Sequence, residues 1–222
     1  MICMNLTIVY DDEPSDNPDL IADHGFSCWI ESDDDVILFD TGSKGDILLH
    51  NLKHCGKDPS MISKIVISHE HYDHNGGLSL LLSRLHQAKV YRIDQRPSPS
   101  SIDTIAVNEP IHIAKGIFST GRLPGNPLDE QSLILDVGDA VVALAGCSHS
   151  GVGNILEAAK QKGVVIGLIG GFHGFSAFEI IKNLSFVCPC HCTAHKKKIH
   201  GLFPDMTRIC QLGSTFDLDE MI

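Results

Sequence analysis

Short apolar blocks recur along the chain, and each ends in a polar or glycine-bearing turn. Blocks of this length, rich in Val and Ile, read as buried strands. The pattern predicts strands at Leu6–Tyr10, Phe26–Glu31, Val36–Phe39, Lys64–Ile67, Lys89–Arg92, 111–113, 117–119, Ser132–Val137, Ala140–Ala145, Val164–Ile169 and Phe186–Val187. Apolar residues at helical spacing predict helices at Ile47–His54, 76–86, Val152–Lys162, 174–183 and 202–211. Ser32-Asp33-Asp34-Asp35 and Gly138-Asp139 each join two strands as a hairpin. Strands therefore come in pairs with helices between the pairs. A doubly wound parallel sheet would alternate strand and helix more strictly. The expected fold is α+β, a four-layer αββα sandwich.

With 222 residues, 43% of them hydrophobic and 20% charged, one sizeable core is expected. Residues 1–222 read as a single domain, and the Pro/Ser-rich stretch 96–101 as a loop linking two halves of it. The formal net charge of -11 argues against nucleic acid as a partner, because phosphate backbones need a basic face. Lys196-Lys197-Lys198 is the local exception, either a solvated helix start or an attraction for an anionic substrate. No run approaches the length needed to cross a bilayer, and no secretory signal is visible. The chain reads as cytoplasmic, its eight Cys as reduced thiols. Cys3, Cys28, Cys55, Cys147 and Cys210 read as small buried hydrophobes, and Cys188, Cys190 and Cys192 as structural thiols. The oligomeric state is open at this level.

Candidate chemistry concentrates in His69-Glu70-His71-Tyr72-Asp73-His74, between the apolar Ile65-Val66-Ile67 and Asn75-Gly76-Gly77. Imidazoles and a carboxylate at this density point to a transition-metal site. His69 and His71 project to one side of an extended backbone and can share an ion. Asp73 and His74 follow a change of direction and can face a second. His149 and His191 also follow apolar strands. They are expected to complete the two sets, His149 with His69 and His71, and His191 with Asp73 and His74. His173 is a further strand-end histidine, open to metal, substrate or proton transfer. Asp40, after the apolar 36–39, is expected to hold a ligating ring in one tautomer. His24 and Ser148 are grouped with it as ligand-supporting or substrate-contacting residues.

With these residues in hand, the chain resembles the metallo-β-lactamase superfamily. His69-x-His71-x-Asp73-His74, His149 and His191 match the family's ligands in order. More narrowly it is similar to the dihydropterin ribofuranosylaminobenzene phosphate synthase-like branch. That likeness rests on Asp23-His24-Gly25-Phe26-Ser27, Phe39-Asp40-Thr41-Gly42, Glu130-Gln131-Ser132-Leu133, Gly146-Cys147-Ser148-His149, Gly170-Gly171-Phe172-His173 and Cys190-His191-Cys192-Thr193. The resemblance implies a hydrolytic centre of two divalent metal ions, zinc first, with manganese or iron as alternatives. Bound water would then serve as nucleophile near neutral pH. Asp73 would act as ligand and as the acceptor orienting that water, and His173 would contact substrate or protonate the leaving group. The expected substrate is a small, anionic ester, phosphoester or related molecule. An iron-dependent oxidoreductase and a non-catalytic metal sensor are the rival classes. Two departures matter: the region between His86 and Phe118 is short for this branch, with Ala194 where Gly is usual, and the other lies at the metal site. Many family members carry a bridging aspartate after the strand matching Val164–Ile169, and here that place reads Gly170-Gly171-Phe172-His173.

Overall fold

The computed structural model describes residues 4–33, 35–85, 87–93 and 103–221. The predicted loop at 96–101 lies outside them, as do Cys3 and Asp34. In chain order the elements are β1 (Asn5–Tyr10), β2 (Ser27–Glu31), β3 (Val36–Phe39), α1 (Gly45–His54), β4 (Lys64–Val66), α2 (Tyr72–Asn75), α3 (Leu78–Leu82), β5 (Lys89–Arg92) and β6 (Thr104–Ala106). There follow β7 (Ile111–Ala114), β8 (Ile117–Ser119), β9 (Leu133–Asp136), β10 (Ala140–Ala145), α4 (Val152–Lys160), β11 (Val164–Gly171), β12 (Phe186–Cys190), α5 (Lys196–Leu202) and β13 (Thr215–Asp217).

The strands form a seven-stranded sheet, β13-β1-β2-β3-β4-β5-β6, and a six-stranded sheet, β12-β11-β10-β9-β8-β7. Three apolar clusters define the layers. Between the sheets lie Leu6, Ile8, Ile37, Phe39, Val66, Val142, Leu144 and Ile169. The neighbouring residues on the same strands point the other way, as period-2 geometry requires. Leu38 and Ile65 meet Leu48, Leu52 and Leu81 of α1 and α3. Val141, Ala143 and Leu168 meet Val152, Ile155, Leu156 and Ala159 of α4. Those α4 positions are one apolar stripe, and burying each large aliphatic side chain contributes about 1.5–3 kcal/mol. The result is the αββα sandwich.

Two predicted helices are not formed. Residues 174–183 hold only a short 3-10 turn at Phe178–Ile180. Phe175, Phe178 and Ile181 recur every third residue, the spacing of a 3-10 turn, and all pack on the outer core of the second sheet. Over 202–211, Pro204 cannot continue a helix, so α5 ends at Leu202 and the chain runs beside β12, pairing Val187 with Thr207. That return brings Cys210 to Cys190, and the two form a disulfide, contrary to the expectation of eight free thiols. Cys55 is only half-buried. Among the described residues no helix is long and apolar enough to cross a membrane.

Candidate metal centre at the strand ends

β3, β4, β5 and β6 run parallel, as do β10, β11 and β12. Their carboxyl ends are where ligand sites form in α/β sheets. Asp40 follows β3, His69 follows β4, Cys147 and His149 follow β10, His173 follows β11 and His191 follows β12. Four of these turns force positive φ on residues other than glycine: Asp40 (60°), Ser148 (61°), His173 (44°) and His191 (42°). Among the described residues no other non-glycine has one. Left-handed backbone at an L-residue costs about 1–2 kcal/mol, so the surrounding packing must impose it.

The hexapeptide loop is seated by backbone contacts. Asp73 and His74 sit on α2. Phe26 N–H donates to the Asp73 carbonyl (3.1 Å), and Thr41 Oγ1 donates to the His74 carbonyl (3.0 Å). Gly76 and Gly77 press against the Ser43 and Thr41 carbonyls, where a Cβ would come within 2.2 and 2.3 Å. Glu70 turns away to Arg92 (2.9 and 2.5 Å).

Hydrogen bonds behind the rings set which nitrogen faces inward. Asp40, fully buried, accepts from Ser68 N–H and Ser68 Oγ, each at 2.7 Å, and faces His74 Nδ1 at 2.7 Å. With its hydroxyl proton given to Asp40, Ser68 Oγ accepts from His69 Nδ1 at 2.9 Å. Asp12 Oδ1 faces His191 Nδ1 at 2.8 Å, and Asp11 Oδ2 accepts the His191 N–H at 2.9 Å. This assignment leaves the Nε2 lone pairs of His69 and His74 pointing inward and turns Nε2 of His191 toward Asp73. Nε2 of His149 is buried with no hydrogen-bond partner, and Nε2 of His191 lies 3.3 Å from Asp73 Oδ2.

Donor atoms on one zinc-sized ion stand about 2.9–3.6 Å apart, given metal–N, metal–O and metal–S bonds of about 2.0–2.3 Å. His69 Nε2 and His71 Nδ1 are 3.0 Å apart. Asp73 Oδ2 lies 3.3 Å from His191 Nε2 and 3.6 Å from His74 Nε2. The His149 ring lies 4.7 Å from that of His69 and 4.9 Å from that of His71. His69, His71 and His149 thus lie together, and Asp73, His74 and His191 form a second group beside them.

Burial holds the His69 and His74 imidazoles neutral, well below their ordinary range. Burial likewise lowers His149, to about 4, with His71 and His173 beside it. Burial opposes charge on His191 too, yet the Asp12 and Asp73 carboxylates outweigh it and push its value up to about 10. Asp73 is the converse. Burial would raise it, but the His191 hydrogen bond and the His74 imidazole hold it well below the carboxylate range.

A family model, "Metallo-beta-lactamase superfamily", matches residues 21–167. The chain belongs to the metallo-beta-lactamase superfamily. An uncharacterised protein of Methanocaldococcus jannaschii is 30% identical, with 87% of this chain and 90% of that protein covered. The same organism's 7,8-dihydropterin-6-methyl-4-(beta-D-ribofuranosyl)-aminobenzene-5'-phosphate synthase is 24% identical, covering 79% and 82%. A solved structure described as Tm1679, a metal-dependent hydrolase of the beta-lactamase superfamily, superposes with a TM-score of 0.73 at 26% identity, covering 96% of this chain and 98% of that one.

Within this superfamily chain, His24 stands at the rim, exposed, with Nε2 3.3 Å from Asp73 Oδ2 and Nδ1 3.0 Å from Asp12. His173 is exposed beside His149, ring centroids 5.0 Å apart, on a cleft of about 250 Å³ that Asn126 and Phe175 also line. Ser148 Oγ donates to the Gly171 carbonyl at 2.7 Å, so it ties the His149 turn to the end of β11. Lys196 starts α5 and pairs with Glu13 at 3.1 Å. Sequence reasoning passed over Asp11, Asp12 and Ser68, and it noted Glu130 and Gln131 in a motif without giving them a role. Glu130 accepts from Ser150 Oγ (2.6 Å) and Ser150 N–H (3.0 Å). Gln131 donates to the Ile67 carbonyl (2.8 Å) and so bridges the sheets below the hexapeptide. The available signal was position: Asp11 and Asp12 directly follow β1, as Asp40 follows β3.

Proposed function

We propose that the chain is a metal-dependent hydrolase acting on an ester, phosphoester or related bond of a small molecule. His69, His71 and His149 would hold one divalent ion, and Asp73, His74 and His191 the other, with zinc as the first candidate. The observation that carries the reading is the convergence of buried donors: an Nε2 on His149 with no hydrogen-bond partner, and an Asp73 carboxylate facing the Nε2 atoms of His74 and His191. His149 groups with His69, and His191 with Asp73 and His74, as atoms that one ion could hold. A buried acceptor without a partner costs about 1–3 kcal/mol, a penalty that a bound cation removes.

Such ions, when bound, lower the pKa of coordinated water to about 7 and polarise the scissile bond. The chain's own residues do the rest. Asp12, Asp40 and Ser68 hold the rings in the ligating tautomer. Asp73 Oδ2, at the centre of the second set, would accept a hydrogen bond from the attacking water and so orient it. Exposed His173 borders the cleft beside His149 and is placed to contact substrate or protonate a leaving group. The chain's net charge of -11 favours a small molecule over nucleic acid as substrate.

The test begins with elemental analysis of protein purified without added metal, then a panel of phosphoesters, thioesters and lactones. The expected result is about two zinc ions per chain, turnover lost on chelation, and His71→Ala folded but inactive. His173→Ala should lower kcat while keeping its metal. Full turnover in metal-stripped His71→Ala protein overturns the reading. Iron with oxygen consumption supports an oxidoreductase instead, and full metal occupancy with no turnover across the panel supports a sensor.

A further inference from the structure

Among the described residues, Cys147 is the one donor common to both groups. Its Sγ lies 3.1 Å from His74 Nε2, and it groups with Asp73, His74 and His191 on one side and with His69 and His149 on the other. It is buried, and its turn leads out of β10. Its 3.1 Å separation from His74 Nε2 falls within the range for an imidazole nitrogen and a thiolate sulfur on the same ion.

The space around the sulfur has no room for another anionic side chain. At Gly171 a Cβ would come within 2.4 Å of the Gly146 carbonyl and 2.7 Å of Cys192 Sγ. At Gly170 it would come within 2.0 Å of the Ala145 carbonyl. So the end of β11 cannot carry a carboxylate into the gap between the two sets, and sulfur from β10 occupies the neighbouring volume. Charge leads to the same place. His69, His71 and His149 bring no anion to the first ion, and Asp73 brings one to the second.

We propose that Cys147 is a metal ligand of this centre, its thiolate shared between the two ions. This rests on the metal reading of the site given above. The sulfur–metal bond forms as the thiol proton leaves to solvent, with no change of oxidation state. A thiolate favours zinc, cobalt or iron over manganese, so the ligand also narrows the metal. Cys192 Sγ sits 3.2 Å from Cys147 Sγ but belongs to neither set, which places it behind the ligand.

Cobalt(II) titration of the metal-stripped full-length protein tests this. The expected result is two cobalt ions with a sulfur-to-cobalt charge-transfer band in the near ultraviolet. The band should persist in Cys192→Ser and vanish in Cys147→Ser, whose second ion should bind about tenfold or more weakly. Cys147→Asp should keep the stoichiometry without the band. X-ray absorption of the zinc-loaded wild type needs no variant, and a sulfur neighbour at about 2.3 Å is expected. Two bound ions with no sulfur neighbour overturn the Cys147 ligand and leave the metal centre standing. Failure to bind cobalt or zinc at all overturns both.

Discussion

Replacing Asp40 by Asn changes one atom and should disarm two histidines. Asp40 is fully buried with φ 60°, a conformation that Asn adopts as readily as Asp, so the backbone has no reason to move. Oδ1 still accepts the Ser68 N–H. At the Oδ2 position an amide N–H₂ now faces His74 Nδ1 and Ser68 Oγ. A donor there forces Nδ1 of His74 to become the acceptor, and its proton moves to Nε2. Ser68 Oγ must likewise accept from the amide and give its own proton to His69 Nδ1. Each ring then presents N–H, not a lone pair, to its ion. Loss of such an orienting partner reduces metal affinity about 10–100-fold, roughly 1.4–2.7 kcal/mol per ion. Removing a buried carboxylate whose value burial already raises should leave fold stability within about 1 kcal/mol. The assay is zinc competition against a chromophoric chelator, paired with thermal unfolding in excess chelator. Zinc affinity within twofold of wild type on both sites would refute the tautomer argument.

His191 and Gly171 give two further tests. His191 is raised from an ordinary 6.5 to about 10, so it favours the metal-free fold fully below about pH 6.5 and ceases to do so as pH rises through about 10. In Cys147→Ser protein, which has no thiol proton to give up, uptake of the second ion should therefore release one proton near pH 8, with affinity rising about tenfold per pH unit below pH 10, measured with an indicator dye; no proton release contradicts the assignment. Gly171→Ala places a methyl 2.4 Å from the Gly146 carbonyl and should lower stability by about 1–3 kcal/mol, read as a fall in Tm of about 2–4 °C per kcal/mol. An unchanged Tm would show that the end of β11 yields freely.

Much of this was legible in the residues. The apolar blocks predicted most strands because both faces of the central ones are buried, which leaves runs such as Val36–Phe39 and Ala140–Ala145 with no polar interruption. The hexapeptide, His149 and His191 stood out because each histidine follows such a run. Asp12 did not, because an acidic loop is ordinary on a surface and only tertiary contact brings it to His191, 179 positions away. Cys147 read as a buried hydrophobe because a thiol in apolar company looks the same whether it packs or ligates. The terminal strand β13, Thr215–Asp217, was missed because it is a short edge strand whose partner lies at the opposite end of the chain.

The two glycines after the hexapeptide have a consequence for how the centre fills and empties. With Gly76 and Gly77 set close against the Ser43 and Thr41 carbonyls, an outward swing of the α2 segment would break tight backbone contacts. On the proposed reading, cations and reactants would come and go over the exposed rim of His24, Tyr72 and His173. Stripped and loaded forms should therefore superpose closely, and exchange should follow the width of that doorway rather than any opening of the fold.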